Sequence, residues 1–95
     1  MKRNEILENA IQTVCHDRSD QYGEPENNFR RVADLWSAYL FPLVLRPQDV
    51  ANMMILFKIA RAKVNNKSDT WIDIAGYAAC GGEVAEMEED DAVTG

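Results

Sequence analysis

Ninety-five residues with ten Lys or Arg against sixteen Asp or Glu, a formal net charge of -6, make one small acidic domain with room for a single hydrophobic core. That balance excludes a broad duplex-DNA surface, which depends on clustered positive charge. The longest mainly apolar stretch, Val50 to Phe57, falls far short of the roughly 20 residues that a membrane-spanning helix needs.

The first predicted helix runs from about Asn4 to about His16, because Ile6, Leu7, Ala10, Ile11 and Val14 recur at helical spacing. A polar loop, Ser19 to Pro25, follows, with Gly23 and Pro25 as its punctuation, and Pro25 suits the first turn of a second helix because its missing amide proton costs nothing there. On that helix Phe29, Val32, Ala33, Trp36 and Leu40 form one apolar stripe. Pro42 is expected to interrupt or end it, and Pro47 opens a third helix that extends to about Val64. The third helix is apolar on several sides, and Met53, Met54 and Phe57, with Trp36 of the second, are expected in the core. After the loop Asn65 to Ser68, Asp69 or Thr70 is expected to cap a fourth helix from about Trp71 past Ala79, whose Ala75, Ala78, Ala79 and Gly82 offer a narrow surface for close packing. Gly81-Gly82 is a point where this helix can end, bend or thin.

The expected fold is all-α, a compact bundle of about four helices assembled as a homo-oligomer. Positions 1–82 hold ten residues of each sign, so the whole charge excess comes from Glu83, Glu86, Glu88, Glu89, Asp90 and Asp91. We therefore expect a single helical domain over 1–86, neutral through position 82, and an acidic, disordered tail over 87–95. The N-terminus lacks the continuous apolar segment of a secretory signal, so a cytoplasmic setting is expected, with Cys15 and Cys80 as reduced thiols.

Three constellations can carry chemistry. The loop Asp17-Arg18-Ser19-Asp20-Gln21-Tyr22-Gly23, with Asn27 and Asn28 beyond it, offers Arg18 for a phosphate, Tyr22 for a ring and the Asn side chains for polar edges. The same residues serve an ordinary interhelical loop as caps and local pairs. Lys58, Arg61 and Asn65 share one helical face and can hold a phosphate, or simply decorate a solvated face. Asp69, Asp73 and Tyr77 also follow at helical spacing; the carboxylates can bind Mg²⁺, complement the helix start, or pair with Lys58 and Arg61. His16 stands without a nucleophile, and no Ser-His-Asp or Cys-His arrangement is present, so neither a catalytic residue nor a resident metal site is assigned.

Five ordered motifs from Asp17 to Ala79, D-R-x-x-Q-Y-G-x-P-x-x-N-F, L-W-S-A-Y-L, D-V-A-x-M-M, K-x-A-R and D-I-A-G-Y-A-A, resemble a small domain family of unknown function common among tailed phages and prophages. The resemblance implies viral origin. Glu83 and Glu86, an E-x-x-E pair, are similar to the metal-binding pairs of MazG-type all-α nucleotide pyrophosphohydrolases.

The leading expectation is a phage-encoded protein that binds a small anionic nucleotide without hydrolysing it, sequestering a host immune signal in the bacterial cytoplasm through Arg18, Tyr22, Asn27, Asn28, Lys58, Arg61, Asp73 and Tyr77, with no cofactor. One alternative is a MazG-like hydrolase with Mg²⁺ at Asp69, Asp73, Glu83 and Glu86. Another is a helical interaction module that contacts its partner through the acidic tail.

Overall fold

A computed structural model describes residues 1–17 and 23–94, without the side chains of Asp17 and of residues 89–94. Its elements are α1 (Arg3–Gln12), a π-helical turn (Thr13–Asp17), α2 (Pro25–Tyr39), α3 (Pro47–Val64) and α4 (Ser68–Thr94). Among the described residues there is no strand, and no helix is long and apolar enough to cross a membrane. The expected all-α, four-helix architecture is therefore what the chain adopts. Arg18 and Tyr22 lie outside the described residues, as do the side chains at the end of the expected acidic tail.

Pro25 and Pro47 open helices where the sequence predicts. At Pro47 the preceding Arg46 is a poor cap, and Asp49 supplies what is missing by accepting a hydrogen bond from the Arg46 backbone N–H at 2.8 Å. A more distant group, Glu88 on α4, accepts from the Gln48 N–H at 3.2 Å, so the start of α3 is also held from the far end of the chain. Between α2 and α3 the Ser37 hydroxyl accepts from the Leu45 N–H at 2.8 Å, which folds residues 40–46 back across the end of α2.

α3 and α4 form an antiparallel hairpin around the short loop at Asn65, Asn66 and Lys67, with the Trp71 indole N–H donating to Asn66 Oδ1 at 2.7 Å. The two helices pack tightly at Ala51 and Gly81: a Cβ built on Gly81 would lie 2.9 Å from the Ala51 methyl. Phe29 and Ala33 from α2, Val50 and Ala51 from α3, and Val84 from α4 are buried around that contact. The π-helical turn is held to α4 in the same way, since a Cβ on Gly76 would lie 2.8 Å from Val14 Cγ1.

Several expectations are corrected. Helical geometry ends at Gln12 and continues as the π-helical turn instead of reaching His16 unchanged. α4 starts at Ser68, so Asp69 and Thr70 lie in its first turn and do not cap it. The helix runs straight through Gly81-Gly82, because the packing gained where Gly81 meets Ala51 outweighs a glycine's weak helical preference. The close-packing surface is Gly76 and Gly81, whereas Ala78, Ala79 and Gly82 are exposed. Met53 and Phe57 of α3 are exposed instead of core, because within this chain α4 and α2 cover only one side of that helix.

The two adjacent glycines should respond oppositely to substitution. Gly82→Ala meets nothing within 4 Å and should stabilise the fold by about 0.5–1 kcal/mol through helix propensity. Gly81→Val should destabilise it by about 1–3 kcal/mol by forcing α3 and α4 apart. Urea denaturation of both variants checks the pair, and a stabilised Gly81→Val protein would contradict the packing described.

Candidate functional site

Where the π-helical turn, the start of α2 and the middle of α4 meet, the surface opens into a narrow cleft whose own free space is about 40 Å³. Thr13 and Val14 contribute one wall. Pro25, Asn28 and Phe29 contribute the second, and Ile72, Asp73, Gly76, Tyr77 and Cys80 the third. Local chemistry explains why there is space. Gly76 lacks the Cβ that would collide with Val14, and Gly23, at φ +81°, makes the left-handed turn that lets the chain enter α2 at the rim. The π-helical turn widens the end of α1 and places Thr13 and Val14 toward α4, a distortion often found beside functional sites.

The floor is aromatic. Phe29 and Tyr77 stack with ring centroids 6.3 Å apart and planes inclined by 27°. Against them stand the Asn28 amide and the Asp73 carboxylate, polar groups at the edge of an otherwise apolar pocket. Asp73 is held by Lys58 of α3, whose Nζ lies 2.9 Å from Asp73 Oδ2; both side chains are largely buried, 16% and 29% exposed. The lysine thus neutralises a carboxylate that would otherwise repel any anionic guest.

Asn28, Asp73 and Tyr77 of the expected set come together on this cleft, with Lys58 joined to it through Asp73. Arg61 does not join them. Its guanidinium lies 5.0 Å from the centre of the Phe57 ring, and it borders a separate shallow groove with Asn65, Lys67 and Thr70. Asn27 is exposed on α2 away from the cleft wall. Arg18 and Tyr22 fall in the segment outside the described residues, which leads directly into Gly23 on the rim. Thr13, Val14, Ile72, Gly76 and Cys80 were not among the expected site residues; the only sequence signal for any of them is the small residue at Gly76 beside Tyr77.

Cation ligands are dispersed. Asp69, Glu83 and Glu86 are exposed and Asp73 is paired with Lys58, and among the described residues no three His, Cys, Asp or Glu side chains gather as a metal site requires. Cys15 on the π-helical turn and Cys80 on the cleft wall are both thiols.

A family defined only as a domain of unknown function (DUF6378) matches residues 5–85. The Gene 55 protein of Mycobacterium phage L5 is 42% identical over 87 residues, covering 90% of this chain and 55% of that protein. The Gene 55 protein of Mycobacterium phage D29 is 45% identical over 76 residues, covering 79% of this chain and 50% of its own. The chain thus spans about half the length of the curated relatives it matches. No solved structure matches it significantly.

The Lys58–Asp73 pair should behave as a coupled unit. Lys58→Met alone leaves a largely desolvated carboxylate and should cost more stability than the double change Lys58→Met, Asp73→Asn, with a coupling energy of about 1–2 kcal/mol. A double-mutant cycle by thermal or urea denaturation measures it, and strict additivity would show that the contact contributes nothing.

Proposed function

The chain belongs to the DUF6378 family, and on that premise we propose that it is a phage-encoded nucleotide-binding protein that holds a host immune signalling nucleotide without hydrolysing it. The observation that carries the reading is the cleft in which Asn28 and Asp73 face the stacked rings of Phe29 and Tyr77. A purine or pyrimidine needs a flat apolar surface and a few polar groups at its edge. The ring of Tyr77 supplies the surface, the Asp73 carboxylate accepts from ring or exocyclic N–H groups, and the Asn28 amide both donates and accepts.

Because buried Phe29 already stacks on Tyr77, the base lies against the open side of Tyr77 and does not intercalate. The phosphates then point out of the mouth, past Gly23. Lys58 acts by orienting and neutralising Asp73, and Arg61 drops out of the binding set. Such a protein works in the host cytoplasm as a homo-oligomer, and the reaction requires nothing of it beyond retention.

Purified protein incubated with a nucleotide panel, with and without Mg²⁺, then heat-denatured, should release the bound nucleotide intact. Metal-dependent loss of phosphate or pyrophosphate would instead make the protein a MazG-like hydrolase, and no retention at all would favour an interaction module. Asn28→Ala and Asp73→Ala should each weaken retention by about 10- to 100-fold, the worth of one hydrogen bond involving a charged or buried partner. Arg61→Ala should leave it within about twofold, and a large loss there would move the site to the α3 groove.

A further inference from the structure

Apart from the cleft, the first turns of α2 and α3 and the far half of α4 enclose a second cavity of about 240 Å³, lined by Glu26, Arg30, Pro47, Val84, Met87 and Glu88. Two carboxylates reach it from different helices. Glu26 Oε2 and Glu88 Oε2 are both closed off from solvent, and among the described residues neither has a hydrogen-bond partner. Buried polar atoms are nearly always paired, and a carboxylate oxygen is the costliest kind to leave without a donor. Two such oxygens lining one cavity call for a group that brings both N–H donors and positive charge. Glu88 is pinned in place, since its Oε1 accepts from the Gln48 N–H at 3.2 Å while Oε2 is left over. Glu26 stands in the first turn of α2, so both carboxylates lie at helix starts, where negative charge is favourable. Arg30, the cation of the lining, is exposed, and among the described residues it pairs with neither.

We infer that this cavity binds the ammonium group of a small alkylamine, which donates to Glu26 Oε2 and Glu88 Oε2 together. An ammonium carries diverging N–H donors and can serve oxygens brought by two helices, whereas a planar guanidinium is matched to one carboxylate at a time. A metal ion is served less well. Hard cations take about six or more oxygens, and the rest of this wall is Pro47, Val84 and Met87, apolar groups that suit a hydrocarbon stem. At the roughly 30 Å³ that one water occupies, the cavity holds about eight non-hydrogen atoms, enough for an amine on a short alkyl chain. The site lies on residues other than those of the cleft, and the inference is independent of what the cleft binds.

The test is a titration of the ¹⁵N-labelled chain with butylammonium chloride, followed by amide NMR shifts, beside parallel titrations with butan-1-ol and with magnesium chloride at matched ionic strength. Butylammonium should move the backbone amides of Gln48, Met87 and Glu88 saturably. Butan-1-ol has the same stem without the charge and should bind at least about tenfold more weakly. Glu26→Gln and Glu88→Gln should each weaken butylammonium binding at least about tenfold, the worth of a hydrogen bond to a charged group. Both changes preserve side-chain shape, and an amide oxygen at position 88 can still accept from the Gln48 N–H, so the start of α3 stays held; circular dichroism verifies that helicity is retained. Arg30→Gln should tighten binding, because a like charge leaves the lining. Absence of saturable shifts throughout the millimolar range would overturn the inference. So would butan-1-ol binding as tightly as butylammonium, both glutamate variants binding unchanged, Arg30→Gln abolishing binding, or magnesium occupying the same residues more tightly than the amine. Nucleotide retention is measured separately and is unaffected by these outcomes.

Discussion

The approach of α3 to α4 at Ala51 and Gly81 is the constraint on which the remaining structure depends. Only small residues at that crossing let the two backbones pack this closely, and the closeness draws Val50 and Val84 into one core with Phe29 and Ala33 of α2. It also explains why α4 stays helical across two consecutive glycines: one of them is needed at the contact, and the other lies exposed within the same continuous helix. Farther along, the same helix brings Glu88 to the first amides of α3, so both ends of the hairpin are held.

From that hairpin the cleft follows as a consequence. α4 presents Asp73, Gly76, Tyr77 and Cys80 on the side turned toward α1 and α2, and Gly76 lets the end of α1 approach without filling the space. Lys58 comes from α3, across the hairpin, so the electrostatics of the cleft depend on the helix pairing as much as its shape does. The net acidity does not by itself oppose the proposed anionic guest: the Asp73 carboxylate is compensated by Lys58, and the unbalanced negative charge lies in the C-terminal segment beyond position 82.

Much of this was legible in the sequence, for identifiable reasons. Pro25 and Pro47 mark helix starts by a local rule that tertiary structure rarely overrides, and the Phe29–Ala33 stripe is buried as its spacing requires. Pairing of Lys58 with Asp73 was one of the arrangements that charge and helical position allowed. The π-helical turn has no sequence signature, and the residues it brings to the cleft, Thr13 and Val14, were therefore not foreseen. Lys58 and Arg61 share a helical face on a wheel, yet the short side chain distances to Asp73 and Phe57 draw them to different neighbours. Periodicity identified Met53 and Phe57 as residues that need cover but could not say whether this chain supplies it.

The most direct measurement is a titration of the ¹⁵N-labelled chain with the retained nucleotide, followed by amide and side-chain NMR shifts. A base seated against Tyr77 should move the Asn28 side-chain NH₂ and the backbone amides of Gly76, Tyr77 and Cys80 most, with those of Arg61, Asn65 and Lys67 nearly still. Shifts confined to the α3 groove around Arg61, with Asn28 and Gly76 unmoved, would contradict the cleft as the binding site.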